Sequence, residues 1–200
     1  MTFLGRHAKF TEDQIIDTAA TLISVDGPDR LSIADVAERI GAPTGSIYYR
    51  FASRDLLMAH TWIRTVKRAQ TGFVEALVQP DPHTAAVDGA LHIVRWSRSH
   101  FAEAKVLLLY RREDLASEWP KELGEELEQL NRPIERAMRA LVRRLPDGSA
   151  VRVATAASFA LIDVPYGAVR RYLAAGKPPP TTVDSLVKQT CECVLFGHHP

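Results

Sequence analysis

The chain has 200 residues, of which 46% are hydrophobic, 24% charged and 8% aromatic, and its formal net charge is +1. This composition is typical of a soluble globular protein with a sizeable core, and the near-neutral charge alone gives no case for a nucleic-acid partner. No apolar run reaches the roughly eighteen residues of a membrane-spanning helix, and residues 1–10 lack the apolar stretch of a signal peptide. We therefore expect a cytoplasmic protein that does not enter a membrane.

The N-terminal part of the sequence predicts a short basic arm and then a first helix. Residues 1–10 are basic and have no periodicity, so they either fray in solution or contact a nucleic-acid backbone. Thr11 and Gln14 have the spacing of a capping box, which marks a helix start, and Gly27 marks the end. One face of this helix is apolar: Ile15, Ile16, Ala19, Leu22 and Ile23.

Residues 32–51 predict two short helices joined by a tight turn. Ser32 can cap the first helix, and Gly41 permits a left-handed stop at its end. Because Pro43 cannot continue that helix, the chain must turn before helical spacing resumes at Thr44. The apolar residues of the first helix share one face: Ile33, Val36, Ala37 and Ile40. Two helices joined in this way are typical of a helix-turn-helix.

The second of these helices has a polar face without a carboxylate, which suits a polyanion groove. This face carries Thr44, Gly45, Ser46, Tyr49 and Arg50. Its hydroxyl groups can reach base edges, and its tyrosine and arginine can contact phosphate. Residues 1–60 as a whole carry six Lys and Arg against eight acids, which weakens the electrostatic case, but residues 42–54 contain two arginines and no acid. The alternative is an ordinary helical hairpin with a solvated face.

The residues of this segment match a known family more closely than a helix-turn-helix pattern alone would require. The run GAPTGSIYYRFASRDLL, residues 41–57, resembles the TetR family of bacterial transcriptional regulators. The DNA-binding domain of that family ends in a similar G-x-x-x-G-[ST]-[IL]-Y-x-x-F-x-x-[KR]-x-x-L run, and the likeness extends back to about residue 8. Two positions depart from the pattern: Pro43 stands where a capping serine is common, and Arg54 replaces the usual lysine.

The resemblance implies an all-α protein of about nine helices, with a three-helix DNA-binding domain over residues 1–52 and a larger ligand-binding and dimerisation domain over residues 53–200. It also implies a homodimer that binds a near-palindromic double-stranded DNA operator, most simply as a repressor, and releases it when a small-molecule effector binds. DNA contact carries over on the family's motif to Ser32, Thr44, Gly45, Ser46, Tyr48, Tyr49, Arg50 and Arg54.

The rest of the sequence predicts helices only, with no strand pattern and no repeat. Pro133 must kink or split the segment that ends near residue 145, and Pro165 predicts a kink within residues 150–175. Residues 150–166 are apolar nearly all round, which implies burial on more than one side and favours a dimer interface there and at residues 181–195. The other predicted helices cover residues 53–79, 86–101 and 106–115.

His92, Trp96 and His100 have helical spacing and share one face, where they either line a pocket or complete the core. Regulators similar to this chain enclose a small-molecule cavity in the corresponding helices, so the resemblance implies a small-molecule effector. The candidate wall residues favour a mostly apolar effector, aromatic or hydrophobic, with one or two polar groups. Such a ligand would tilt the long helix that follows residue 53. The candidate walls are His92, Trp96, His100, Phe101, Tyr110, Met138 and Phe159.

No motif predicts an enzyme, a metal site or a cofactor. The sequence has no H-E-x-x-H, no glycine-rich phosphate loop and no nucleophile elbow. Cys191, Cys193, His198 and His199 are close in sequence, but the two cysteines lie about 200° apart on a predicted helix and cannot face one ion together. An all-helical enzyme and a DNA-binding protein that responds to no ligand remain the alternative interpretations.

Overall fold

The computed structural model describes residues 10–109, 123–145 and 150–197, and these ranges are helical without a β-strand. Eleven α-helices follow one another: α1 (Glu12–Asp26), α2 (Ile33–Ile40), α3 (Thr44–Tyr48), α4 (Arg54–Leu77), α5 (Pro82–Ser99), α6 (Phe101–Leu109), α7 (Gly124–Gln129), α8 (Arg132–Val142), α9 (Ala150–Ser158), α10 (Val164–Ala174) and α11 (Thr182–Phe196). With α7 and α8 taken as one interrupted helix, and α9 and α10 likewise, the described ranges contain nine helices, which confirms the predicted all-α class.

Local signals fix the ends of the first helices as predicted. The Thr11 hydroxyl accepts from the Gln14 N–H at 3.2 Å, and the Gln14 side chain accepts from the Thr11 N–H at 3.0 Å, so the capping box at α1 is complete. The Ser32 hydroxyl caps α2 by accepting from the Asp35 N–H at 3.0 Å. Gly41 ends α2 in the left-handed conformation at φ 69°, which only glycine adopts at no cost.

The N-terminal core consists of the apolar faces of α1, α2 and α3 packed against the first half of α4. Its most completely buried large side chains are Ile15, Ile23, Val36, Ile47 and Leu57. Four residues from later in the chain complete this cluster: Val106, Leu123, Leu127 and Leu130. The N-terminal core is therefore closed by parts of the chain far beyond residue 52.

The C-terminal core begins in the last turns of α4, at Phe73 and Leu77, and continues through α5, α6 and α8–α11. Helix α5 starts at Pro82, four residues earlier than predicted, because proline is tolerated in a first turn and Asp81 caps the helix by accepting from the Thr84 N–H at 2.7 Å. Pro133 lies in the first turn of α8, so it splits the predicted segment rather than kinking it.

Residues 150–174 form α9 and α10 joined by one π-helical segment, Phe159–Asp163. There the Val164 N–H donates to the Phe159 carbonyl, one residue further back than in an α-helix. This wider turn precedes Pro165, which has no N–H and whose ring would clash in a regular helix. The interruption predicted at Pro165 thus takes the form of a π-helical turn.

This pair of helices buries only one of its faces. Ala157, Leu161 and Val169 are buried in the C-terminal core, whereas Val151 on the opposite side is 78% exposed. Phe159 and Tyr166 are also exposed. The chain alone therefore does not supply the burial on more than one side that the apolar sequence predicts. No helix in the described part of the chain is long and apolar enough to cross a membrane.

Candidate DNA-binding face and ligand cavity

Helix α3 presents a small exposed surface on a firmly packed base. Ile47 is fully buried in the N-terminal core and fixes the helix. Thr44, Gly45 and Tyr48 are exposed around it, and Tyr49, the C-cap residue, is 90% exposed. A rigid helix with exposed hydroxyl and aromatic side chains and no carboxylate is suited to enter a groove of duplex DNA.

Helix α3 starts without the serine cap that is common in the family, and this changes the hydrogen bonds of its first turn. Pro43 forms no side-chain capping bond at the start of α3. The Ser46 hydroxyl instead donates to the Pro43 carbonyl at 2.7 Å, and the Ser46 N–H donates to the same oxygen at 2.9 Å. The Ser46 hydroxyl hydrogen is therefore already engaged, and its oxygen is the atom left to accept from a base. Ser32 is similarly occupied, because its hydroxyl donates to Asp35 at 2.6 Å.

The two arginines predicted to bind phosphate form hydrogen bonds with backbone carbonyls of the N-terminal region. Arg50 donates to the carbonyls of Ser46 at 2.8 Å and Phe10 at 3.1 Å. Arg54 donates to the carbonyls of Leu31 at 2.8 Å and Pro28 at 2.6 Å, and it also pairs with Asp55. Both side chains thus already donate to backbone carbonyls. Phosphate contact by Arg50 and Arg54 stays a prediction that depends on their remaining N–H groups.

A cavity of about 180 Å³ lies among α4, α5, α6 and α10. Among the described residues, its wall is almost entirely apolar and contains no Asp, Glu, Lys or Arg. Of the seven predicted wall residues, His92 and Trp96 line it. Sequence analysis missed the others, which are Ala69, Ile93, Ser97, Ala104, Leu107, Leu108, Tyr166, Val169 and Leu173. Most are small aliphatic residues that resemble ordinary core positions, so only the packing of four helices identifies them.

His92 joins the cavity to the long helix α4. Its Nε2 atom lies 2.8 Å from the Ala69 carbonyl, and since a carbonyl only accepts, Nε2 carries the proton. Burial lowers the pKa of His92 below its ordinary 6.5, against a weaker opposing effect of this hydrogen bond, so the ring is neutral at pH 7. The ring also packs tightly on Gly72, where a Cβ atom would come within 2.5 Å of Cε1.

Four of the remaining predicted wall residues lie outside this cavity: His100, Phe101, Met138 and Phe159. Helix α5 ends at Ser99, and His100 is its C-cap, so the shared face of residues 92, 96 and 100 is not continued; His100 stacks on Trp96 at 5.1 Å. Phe101 lines a separate surface concavity with His100. Met138 is buried in the C-terminal core, Phe159 is exposed, and Tyr110 lies outside the described residues.

A larger open groove of about 580 Å³ runs between α4 and α7–α8. Lys67 and Glu126 form an ion pair along it, and Glu75 also lines it. The surface of the groove is otherwise mostly apolar, but these charged side chains and its wider opening make the smaller cavity the better candidate for a mostly apolar ligand.

The cysteine pair has the geometry that its spacing predicts. Cys191 is buried in the C-terminal core, and Cys193 is exposed. Burial raises the pKa of the Cys191 thiol to about 12, so it does not form the thiolate that a metal requires near neutral pH. His198 and His199 lie outside the described residues.

Comparison with known proteins adds to this geometry. Residues 15–61, which span α1–α3 and the start of α4, match the family model described as bacterial regulatory proteins, tetR family. The chain has the DNA-binding domain and the fold of TetR-family transcriptional regulators. No curated protein matches its sequence.

Solved structures of transcriptional regulators, one of them described as a TetR-family member, are similar over nearly the whole chain. PfmR from Thermus thermophilus is 18% identical with a TM-score of 0.66, over 93% of this chain and 99% of that one. FadR from Bacillus subtilis, in complex with stearoyl-CoA, is 13% identical with a TM-score of 0.71, over 94% and 100%. A transcriptional regulator from Rhodococcus sp. Rha1 is 16% identical with a TM-score of 0.71, over 96% and 100%. At these identities the likeness concerns the fold.

Proposed function

We propose that this TetR-type regulator is a repressor that binds a near-palindromic DNA operator as a homodimer and is released by a small, mostly apolar ligand. The observation that carries the proposal is the exposed, carboxylate-free surface of α3, held on a buried Ile47 within the segment that matches the family. We assign DNA contact to residues 1–52 and ligand binding and dimerisation to residues 53–200, with the N-terminal core shared across that boundary.

DNA binding is tested most cleanly at Tyr49, because this side chain is almost free of protein contacts. Tyr49→Ala should weaken binding to DNA that flanks the protein's own gene at least tenfold and leave the melting temperature unchanged. The matched control is Val25→Ala, which removes a similarly exposed apolar group from α1. Equal affinities of wild type and Tyr49→Ala in a gel shift at physiological salt would place the DNA-binding face elsewhere.

The unburied face of α9, α10 and α11 supports the proposed homodimer. Val151, Phe159, Tyr166 and Leu186 are large apolar or aromatic side chains exposed in the single chain. A second copy of the same face can cover them by two-fold symmetry, and two recognition helices read a palindrome better than one. Phe159→Glu should shift the protein to a monomer in sedimentation, whereas Val78→Glu, at an exposed position at the end of α4, should not. A monomeric wild type at micromolar concentration would contradict this part.

Helix α6 supports a link between ligand and DNA, since it lies between the cavity and α1. Leu107 and Leu108 line the cavity, whereas Val106 is buried in the N-terminal core. The Lys105 ammonium group donates to the Ser24 carbonyl near the end of α1. A ligand that moves α6 would therefore also move α1 and the α2–α3 pair that packs on it.

This link predicts that Lys105→Met lowers the effect of a ligand on DNA affinity without abolishing either binding reaction, because coupling is a separate free energy. The two binding constants, each measured with and without the other partner, give that coupling. An unchanged coupling in Lys105→Met would exclude this route. A screen for turnover tests the alternative of an all-helical enzyme, and a wild type whose DNA affinity no ligand alters would support the ligand-independent alternative.

A further inference from the structure

The size of the cavity among α4, α5, α6 and α10 limits what can occupy it. Its volume of about 180 Å³ is close to the ~150 Å³ of an apolar protein cavity that takes up benzene, and it is below the ~300 Å³ lower limit of pockets for drug-sized ligands. One or two fused rings fill this space. A long acyl chain or a nucleotide-containing ligand would have to extend beyond it.

Within the described residues, the wall of the cavity offers no partner for a charged group. These lining side chains are aliphatic or aromatic apart from His92 and Ser97, and the Tyr166 hydroxyl belongs to a residue that is 44% exposed. The His92 ring is neutral, since burial lowers its pKa. A carboxylate or phosphate in this cavity would lose its hydration without gaining a cation, which costs far more than apolar contact returns.

The two polar side chains of the wall have acceptor atoms available. His92 uses Nε2–H for the Ala69 carbonyl, which leaves Nδ1 as an acceptor, and within the described part of the chain the structure records no partner for Nδ1. The Ser97 side chain is buried to 5% exposure and, among the same residues, likewise has no recorded hydrogen bond. A wall atom that can accept and has no recorded protein partner is available to a ligand that brings a donor.

Resting on the proposed ligand response, we infer that the effector is an uncharged aromatic molecule of one or two rings with one N–H or O–H donor, bound in this cavity with its donor on Ser97 or His92. Trp96 and Tyr166 provide aromatic contacts to such a ring from α5 and α10. The same ligand would touch α4 at Ala69 and α6 at Leu108, the two helices that contact the DNA-binding region.

The experiment uses the full chain and three probes: indole, its near-isostere benzothiophene, which has no donor, and the anion decanoate. Ligand-observed NMR titration gives each dissociation constant. Leu108→Trp fills the cavity and should weaken indole binding at least tenfold, while Val78→Trp, at an exposed position outside the cavity, should leave it unchanged. If Leu108→Trp does not fold by circular dichroism, Ile93→Phe fills the cavity from the opposite wall.

The donor is tested by the ratio of the indole and benzothiophene dissociation constants. Comparing this ratio between wild type and a variant cancels the difference in hydrophobicity between the two probes. Ser97→Ala or His92→Phe should reduce the preference for indole roughly threefold to tenfold, the contribution of one neutral hydrogen bond. The inference is overturned if neither variant changes this ratio, if filling the cavity leaves indole binding intact, or if decanoate binds more tightly than indole in competition with it.

DNA binding, measured separately by gel shift, distinguishes failure of this inference from failure of the proposed function. Binding to operator DNA without uptake of indole would overturn the ligand class alone. Uptake of indole in the cavity without any DNA binding would support the ligand class and overturn the regulatory function.

Discussion

The N-terminal and C-terminal cores of this chain are built in different ways. The N-terminal core joins helices of which α1, α2 and α4 start at side-chain caps, at Thr11, Ser32 and Ser53. In the C-terminal core Asp81 caps α5, whereas α8, α10 and α11 have no side-chain capping bond. This core also contains the apolar cavity, the π-helical turn and an uncovered apolar face. The comparison teaches that most helix starts of the N-terminal core are set by local signals, whereas the cavity and the uncovered face arise only from packing between distant helices.

The largest expected effect concerns the buried anchor of α3. Ile47→Ala should lower the free energy of unfolding by about 3 kcal/mol, because it leaves a cavity in a fully packed site. Urea denaturation measures the loss. Val25→Ala, at a position 71% exposed on α1, is the control and should change stability by less than about 0.5 kcal/mol. If the two variants are equally stable, α3 is not held by the N-terminal core.

A second test compares a glycine from each region. Gly72→Ala would bring a Cβ within 2.5 Å of the His92 ring, so the ring must move and its bond to the Ala69 carbonyl is lost. We expect a net loss of about 1–2 kcal/mol, since overpacking outweighs the gain in helix propensity. Gly45→Ala meets no atom within 4 Å and should be neutral or stabilising. Equal thermal shifts for both variants would show that the contact between α4 and α5 is not tight.

The difference between a helix start with a side-chain cap and one without is expected to have a smaller effect on stability. Ser32→Ala removes the side-chain cap of α2 and should cost about 1 kcal/mol in free energy of unfolding. Thr181→Ala is the matched control from the C-terminal region, because Thr181 occupies the N-cap of α11 without a capping bond and should cost little. Denaturant titrations of both variants measure the difference. A cost at Thr181 as large as that at Ser32 would remove the distinction between the two regions.

The smallest effect is a pH dependence located in the C-terminal region. Because burial lowers the pKa of His92 below 6.5, the unfolded chain takes up a proton first as the pH falls. The contribution of this group to stability is therefore complete above pH 6.5 and is lost progressively below it. His92→Gln, which keeps an N–H donor but does not titrate, should reduce the fall in melting temperature between pH 7.5 and pH 5.5. Identical falls in wild type and variant would exclude His92 as the cause.

The sequence predicts most of the fold because many of its signals are local. The capping box at Thr11, the left-handed stop at Gly41 and the interruption at Pro165 each depend on a few neighbouring residues, and the structure has each of them at its predicted place. The start of α5 at Pro82 was missed because a proline within a run of loop residues reads as a break.

The candidate sites are less predictable, since they depend on contacts between distant residues. The hydrogen bonds from Arg54 to the carbonyls of Pro28 and Leu31 span 26 and 23 residues in the sequence, and no local pattern predicts them. The cavity wall combines α4, α5, α6 and α10, so helical spacing on α5 alone could identify only His92 and Trp96. The exposed surface of α3 was predicted because it lies within one short element.

The shared N-terminal core has a consequence for anyone who exchanges DNA-binding domains between regulators. A chimera joined at residue 52 would separate Ile15, Val36 and Ile47 from Leu57 on α4 and from Val106 on α6, which lie in the same cluster. The grafted domain would then rest on a foreign surface with unmatched apolar side chains. A joint within α4 beyond Ile63, with Val106, Leu123, Leu127 and Leu130 exchanged to match the donor, keeps the cluster intact. In such hybrids, the N-terminal helices can be transplanted only together with the later residues that close their core.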